Sequence, residues 1–316
     1  MFTKNFKWFV LIPIVIIIVG ILFGALNGGL NLGVDFTGGN ITTIEFGGEF
    51  DTNVVKQALD DNGMGDSPIV QTGDNYTQAQ IRMRLMADET QQADVNSAII
   101  AQIQQTYPDA TIASVDRVGG VTSSELIRNA FLAVAIACGL MLIYIWIRFE
   151  LFNGISAVIT LAHDVVIMIA IVCILRIQIN SAFIAACLTI IGYSINNTIV
   201  VFDRVRDNLK TMGLKQHTRS EIANKSIKET LTRTINTSVT TLIMILALYI
   251  FGVETIKEFA FPIIVGLLAG VYSSVLISAP LWALMADKFD KKKQKQGKSG
   301  AKKKTQKKTN KKTVKA

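Results

Sequence analysis

A few polar side chains in this 316-residue chain lie inside long apolar runs, where they are costly and where their chemistry would count most. His163 and Asp164 sit side by side near the middle of one such run. Tyr193, Ser194, Asn196, Asn197 and Thr198 interrupt the next, which ends in Asp203 and Arg204. Arg233, Asn236, Thr237, Thr240 and Thr241 open a third at spacings of three to four, so they form a polar stripe expected to face other helices. A carboxylate beside an imidazole can relay protons, and a guanidinium can hold a carboxylate charged. Asp164 and Arg233 therefore point to function, with Arg233 also close enough to a span end to snorkel. For Ser194, Thr237, Thr240 and Thr241 the simpler reading is hydrogen-bonding glue between helices. His163 fits either role.

These residues need elements that hold them. Half of the chain is apolar, too much for a water-soluble domain of this length. Six stretches, 8–26, 130–147, 154–175, 181–202, 234–251 and 261–285, are long enough to span a bilayer core. The first is longer than a signal-peptide core and has no A-x-A site after it, so it reads as a retained anchor. In the sixth, Gly266, Gly270, Ser274 and Ser278 recur every four residues, a small-residue stripe for close helix packing. Cys138, Cys173 and Cys187 all fall in apolar runs with no C-x-x-C spacing and read as reduced, buried thiols. No metal or cofactor site is expected.

Charge sets the topology. Residues 286–316 hold 14 Lys and 2 Asp, so this tail carries +12 of the net +8 and the rest of the chain −4. Segment 27–128 has 14 acidic and 5 basic residues, a net of −9. The positive-inside rule then places both termini and a basic loop at 203–233 in the cytoplasm and 27–128 outside. The tail is low-complexity and polar, expected to be disordered and to touch anionic lipids.

Segment 27–128 reads as a small α+β domain. Strands are expected at 41–46, 68–72, 80–85 and 110–118, with helices starting at Asp51 and covering 88–107. The order β-α-β-β-α-β is that of a ferredoxin-like unit. The domain has no His or Cys, so a binding or mechanical role is favoured over catalysis. The fold class is a six-helix membrane protein with one ferredoxin-like domain.

Three stretches in register carry a resemblance: G-V-D-F-T-G-G (33–39), G-Y-S-I-N-N-T-I-V-V-F-D-R-V-R-D-N (192–208) and T-R-T-I-N-T-S-V-T-T (232–241). In this order on six helices, the chain resembles SecF, the accessory-subunit family of the bacterial Sec protein translocase, which is similar in membrane architecture to the resistance-nodulation-division (RND) transporters. The resemblance implies a multi-pass protein of the bacterial inner membrane, not an enzyme, that pairs with SecD. It implies use of the proton motive force to draw secreted chains outward after the SecA motor has pushed them through SecYEG, with YajC-like and YidC-like accessory proteins nearby. Gly33, Asp35, Gly38 and Gly39 match the first family motif; Gly192, Tyr193, Ser194, Asn196, Asp203 and Arg204 match the second. Arg233 matches the intramembrane arginine of the proton path. Asn197 departs, because the family has aspartate there, and an amide cannot carry a proton. Either SecD supplies the carboxylate, which is favoured, or Asp164 shares the duty, or coupling is weakened or uses another ion. The remaining alternatives are a structural subunit that stabilises SecD without its own proton path, and an RND-type exporter subunit for lipids or small molecules.

Overall fold

The computed structural model describes residues 2–72, 76–84, 86 and 89–290. The expected lysine-rich tail lies almost entirely outside these residues, as do Leu85 and Asp88 at the ends of an expected strand and helix. Six helices are long and apolar enough to cross a membrane: Phe6–Leu26, Thr122–Ile145, Leu151–Ile174, Ser181–Met212, Arg219–Phe251 and Thr255–Asp290.

The chain begins with α1 (Phe6–Leu26) and a single helical turn, α2 (Val34–Thr37). The sheet domain follows as β1 (Gly39–Glu45), α3 (Thr52–Asp61), β2 (Ile69–Thr72), β3 (Gln78–Arg84), α4 (Glu89–Ile103) and β4 (Thr111–Val118). Its four strands are antiparallel in the order β2-β3-β1-β4. Asp51 caps α3 by accepting from the Asn53 amide at 2.9 Å, which is why that helix starts where it does. Alternation along β3 sends Ala79, Ile81 and Met83 into a core closed by Val55, Leu59, Ile99 and Ile103.

The bundle comprises α5 (Gly120–Arg148), α6 (Leu151–Ile174), α7 (Ser181–Met212), α8 (Arg219–Phe251) and α9 (Glu254–Ser273). A π-helical segment, Ser274–Ser278, interrupts the last helix before it continues through 279–290. Close approach is made by residues that lack side chains. A Cβ on Gly266 would meet Met168 Sδ at 2.5 Å and Ile190 Cγ1 at 2.6 Å, and one on Gly20 would meet Ala170 at 2.8 Å. The stripe on the sixth helix thus packs against α6 and α7 of the same chain.

The expected loop at 203–233 is corrected. α7 runs on to Met212 and α8 starts at Arg219 under a capping box of Thr218 and Glu221, leaving only 213–218 between them. The hydropathy drops there but the periodicity does not. Val205 from α7 and Ile222, Ala223 and Ile227 from α8 are fully buried in one cluster with Trp282. The polar faces pair as well: Arg204 Nε donates to Glu229 at 2.7 Å, and Arg219 binds Asp287 at 3.0 Å and Asp290 at 2.7 Å.

Candidate functional site

The middle of the bundle holds one buried carboxylate among tightly packed helices. Asp164 on α6 is fully buried. Its Oδ1 lies 2.9 Å from His163 Nδ1, and its Oδ2 accepts from the Ser194 hydroxyl of α7. Gly270 of α9 closes the third side; a Cβ there would sit 3.2 Å from Ser194 and 3.6 Å from Asp164 Oδ2. The adjacent polar residues continue this layer. Thr198 shares a hydrogen bond with Ser274 at 3.0 Å, and Ser156 donates to the Ser278 carbonyl at 2.6 Å. That carbonyl belongs to the π segment, whose altered backbone pairing leaves carbonyls to be satisfied by other groups. His163 stacks against Tyr272, with 6.5 Å between ring centroids, and the Tyr272 hydroxyl donates to the Phe9 carbonyl at 2.7 Å.

Ser194 has a more specific place than glue: it is the donor to Asp164. The threonines of α8 do less than expected. Thr237 donates to Arg233 O, and Thr240 and Thr241 to Thr237 O, all within their own helix. The polar stripe of α8 is not turned toward the chain's other helices. Arg233, Asn236, Thr237 and Thr240 are exposed, because Thr230, Thr234 and Ser238 occupy the face of α8 that packs inward. Arg233 therefore does not meet Asp164 in this chain, and among the described residues no ion pair reaches it.

Asn197 is buried, and its Nδ2 has no hydrogen-bond partner. One turn earlier on α7, the Tyr193 hydroxyl bonds Ser238 Oγ of α8 at 3.1 Å. The equivalent step along the antiparallel α8 leads to Thr234, which is also buried with its Oγ1 unpartnered. Asn196 and Gly192 lie on the exposed side of α7. Asp203 binds Arg148 at 3.0 Å and Arg206 at 3.1 Å at the end of the bundle far from the sheet domain.

The glycine-rich segment 33–39 forms the joint between bundle and domain. Asp35 Oδ2 accepts from the Ser181 amide, capping α7, and Gly33 N donates to Ile179 O, both at 2.8 Å. Gly38 has φ 73°, and a Cβ on Gly39 would lie 2.4 Å from Met83 O, so both positions require glycine.

A cluster that the sequence did not suggest lies beside this joint. Arg82 of β3 is 9% exposed and binds Glu258 of α9 through both nitrogens, at 2.9 to 3.2 Å. Gln178 accepts from Arg82 at 2.8 Å, and Asn180 donates to Glu258 at 2.7 Å. In the sequence, Arg82 reads as the solvent-facing position of an alternating strand, and only the bundle's presence beneath the sheet reveals its partner.

The family profile described as protein export membrane protein SecD/SecF, C-terminal, matches residues 98–288. A protein translocase subunit SecF from Cereibacter sphaeroides is 38% identical over 255 residues, covering 78% of this chain and 77% of the relative. The chain belongs to the SecF family. A SecF from Rickettsia bellii is 36% identical over 261 residues, covering 82% of this chain and 85% of the relative. The crystal structure of SecDF, a translocon-associated membrane protein from Thermus thermophilus, superposes with a TM-score of 0.76 at 30% identity. It is matched over 90% of this chain, which spans only 38% of that longer SecDF chain. SecF membership, the SecDF fold and the six apolar helices identify a multi-pass membrane protein of the translocase-subunit class.

Proposed function

We propose that this SecF-family chain pairs with SecD and uses the proton motive force to assist late steps of protein export, after SecA has driven the preprotein through SecYEG. The observation that carries the reading is Asp164, a carboxylate buried between His163 and Ser194 where α6, α7 and α9 meet. Gain of a proton there removes a charge from a low-dielectric layer and weakens its hold on Ser194, which shifts the balance between helix arrangements. Arg233, turned outward on α8, is available to a carboxylate of SecD. Asn197 cannot take that role, since its amide does not titrate.

In this reading both termini are cytoplasmic in the bacterial inner membrane and the sheet domain is outside. Its β-α-β-β-α-β order and antiparallel sheet support a ferredoxin-like unit. The domain restrains an emerging chain from sliding back. YajC-like and YidC-like proteins are accessory neighbours, and residues 288–315 contact anionic lipid. A structural subunit without its own proton path is the second reading, favoured by Asn197.

The test is preprotein translocation in membrane vesicles carrying this chain and SecD, measured after SecA action has been stopped. Export is expected to continue while a proton gradient is present and to cease with a protonophore. Insensitivity to the gradient would leave the structural reading in its place.

A further inference from the structure

The sheet domain touches the bundle through a polar lock, and that lock joins the two helices that frame Asp164. One carboxylate, Glu258, sits at the start of α9. It binds Arg82 of β3 through both oxygens, and its Oε2 also accepts from Asn180 Nδ2. Asn180 is itself the N-cap of α7, its Oδ1 accepting from the Phe183 amide at 3.0 Å. Gln178, just before that cap, takes a further bond from Arg82, and Gln80 on the same strand supports the other guanidinium nitrogen at 3.4 Å. The guanidinium and the carboxylate are 9% and 16% exposed, so each depends on the other for its solvation.

The two helices held here run from the joint to the level of Asp164. Ser194 lies 14 residues along α7 from Asn180, about 21 Å of helix. Gly270 lies 12 residues along α9 from Glu258, about 18 Å. Through these two helices the Arg82–Glu258 pair is connected by continuous backbone to the layer around Asp164, with Pro262 lying on the α9 path. Asp35, capping α7 at Ser181, holds the second strut of the same joint.

We propose that Arg82 and Glu258 are positioning residues for the export reaction. They fasten β3 to the starts of α7 and α9, so that rearrangement around Asp164 is delivered to the sheet domain as movement. Bidentate guanidinium–carboxylate geometry suits this task, because it fixes direction as well as distance. The transmission role rests on the export function proposed above; the fastening itself does not.

The experiment uses the full chain reconstituted with SecD in proteoliposomes, with two readouts. Spin labels at the exposed positions Leu30 and Gln105, in a background lacking the three native cysteines, report the distance between bundle and domain. Translocation after SecA action reports export. Glu258→Gln, which keeps size and some hydrogen bonding, and Arg82→Ala are each expected to broaden the distance distribution and slow export about tenfold. The charge swap Arg82→Glu with Glu258→Arg is expected to narrow the distribution again and recover at least about half of the export rate, since the opposite charges still pair and the Gln178 amide can turn to serve either partner. A distribution unchanged in both single variants would overturn the lock. Broadening without any loss of export would overturn transmission. Should wild-type export prove independent of this chain, the function proposed above fails, and the distance readout still decides whether the pair fastens the domain.

Discussion

Helices α5 and α8 flank the same bundle and are both poorly buried, yet they expose opposite surfaces. α5 presents Phe131, Leu132, Ile136, Leu140 and Ile143, each more than half exposed and all apolar. α8 presents Arg233, Asn236, Thr237 and Thr240 among its apolar residues. Hydrocarbon can cover the first surface at no cost. It covers the second only by desolvating a carboxamide and forcing a guanidinium to snorkel toward the span end. The difference teaches that exposure in a membrane subunit can have two meanings: a surface suited to lipid on α5 and, in the proposed reading, a surface for SecD on α8. Between them, α6, α7 and α9 make the chain's own core, with Asp164 at its centre.

Five outcomes would break or sharpen this contrast. Asp164→Asn in the core is expected to cost the most, reducing gradient-driven export by at least about tenfold while leaving SecD co-purification intact. Gly266→Leu forces a side chain into Met168 and Ile190 and is expected to destabilise the chain by about 1–3 kcal/mol, seen as a lower midpoint in detergent unfolding. On α8, Arg233→Ala should weaken SecD association by about 1 kcal/mol, measured as recovered complex across a detergent series. If that recovery is unchanged, α8 faces lipid as α5 does. Asn197→Asp puts a carboxylate where the amide nitrogen has no hydrogen-bond partner and is expected to hold or raise export within about twofold; complete loss would mean that the amide has a required partner of its own. Leu140→Ala on α5 should be nearly silent, within about 0.5 kcal/mol, in both unfolding and SecD recovery.

The six spans were legible because about 20 consecutive apolar residues have few other readings in a chain of this composition. The strand and helix order of the domain was legible from alternation and from Asp51 as a cap. The ends of α7 and α8 were not, because hydropathy falls at Asp203 while the buried positions Val205, Ile222 and Ile227 keep helical spacing among charges. At the candidate site, His163 and Asp164 stood out as neighbours in sequence. Ser194 as their partner did not, because a hydroxyl in a helix has its own backbone to bond. Arg82 and Glu258 are 176 positions apart, and nothing local marks either as one of a pair. The direction of Arg233 was also out of reach: periodicity assigns it to a stripe but cannot say whether that stripe meets the chain's own helices or another protein's.

The π segment at Ser274–Ser278 has a consequence for phasing. A wider turn adds one residue to the winding, so everything beyond it is rotated by about 100° relative to an uninterrupted α-helix. That offset lets one continuous rod present Gly266 and Gly270 to Met168, Ile190 and Ser194 at one level and Trp282 to the Phe202 and Ile222 cluster at another. Removing a single residue from Ser274–Ser278 would restore regular winding and turn 279–290 like a key, withdrawing Trp282 from its lock while Gly270 stayed in place. The last helix is thus two separately indexed halves joined by a vernier, and the joint lies one turn beyond Gly270.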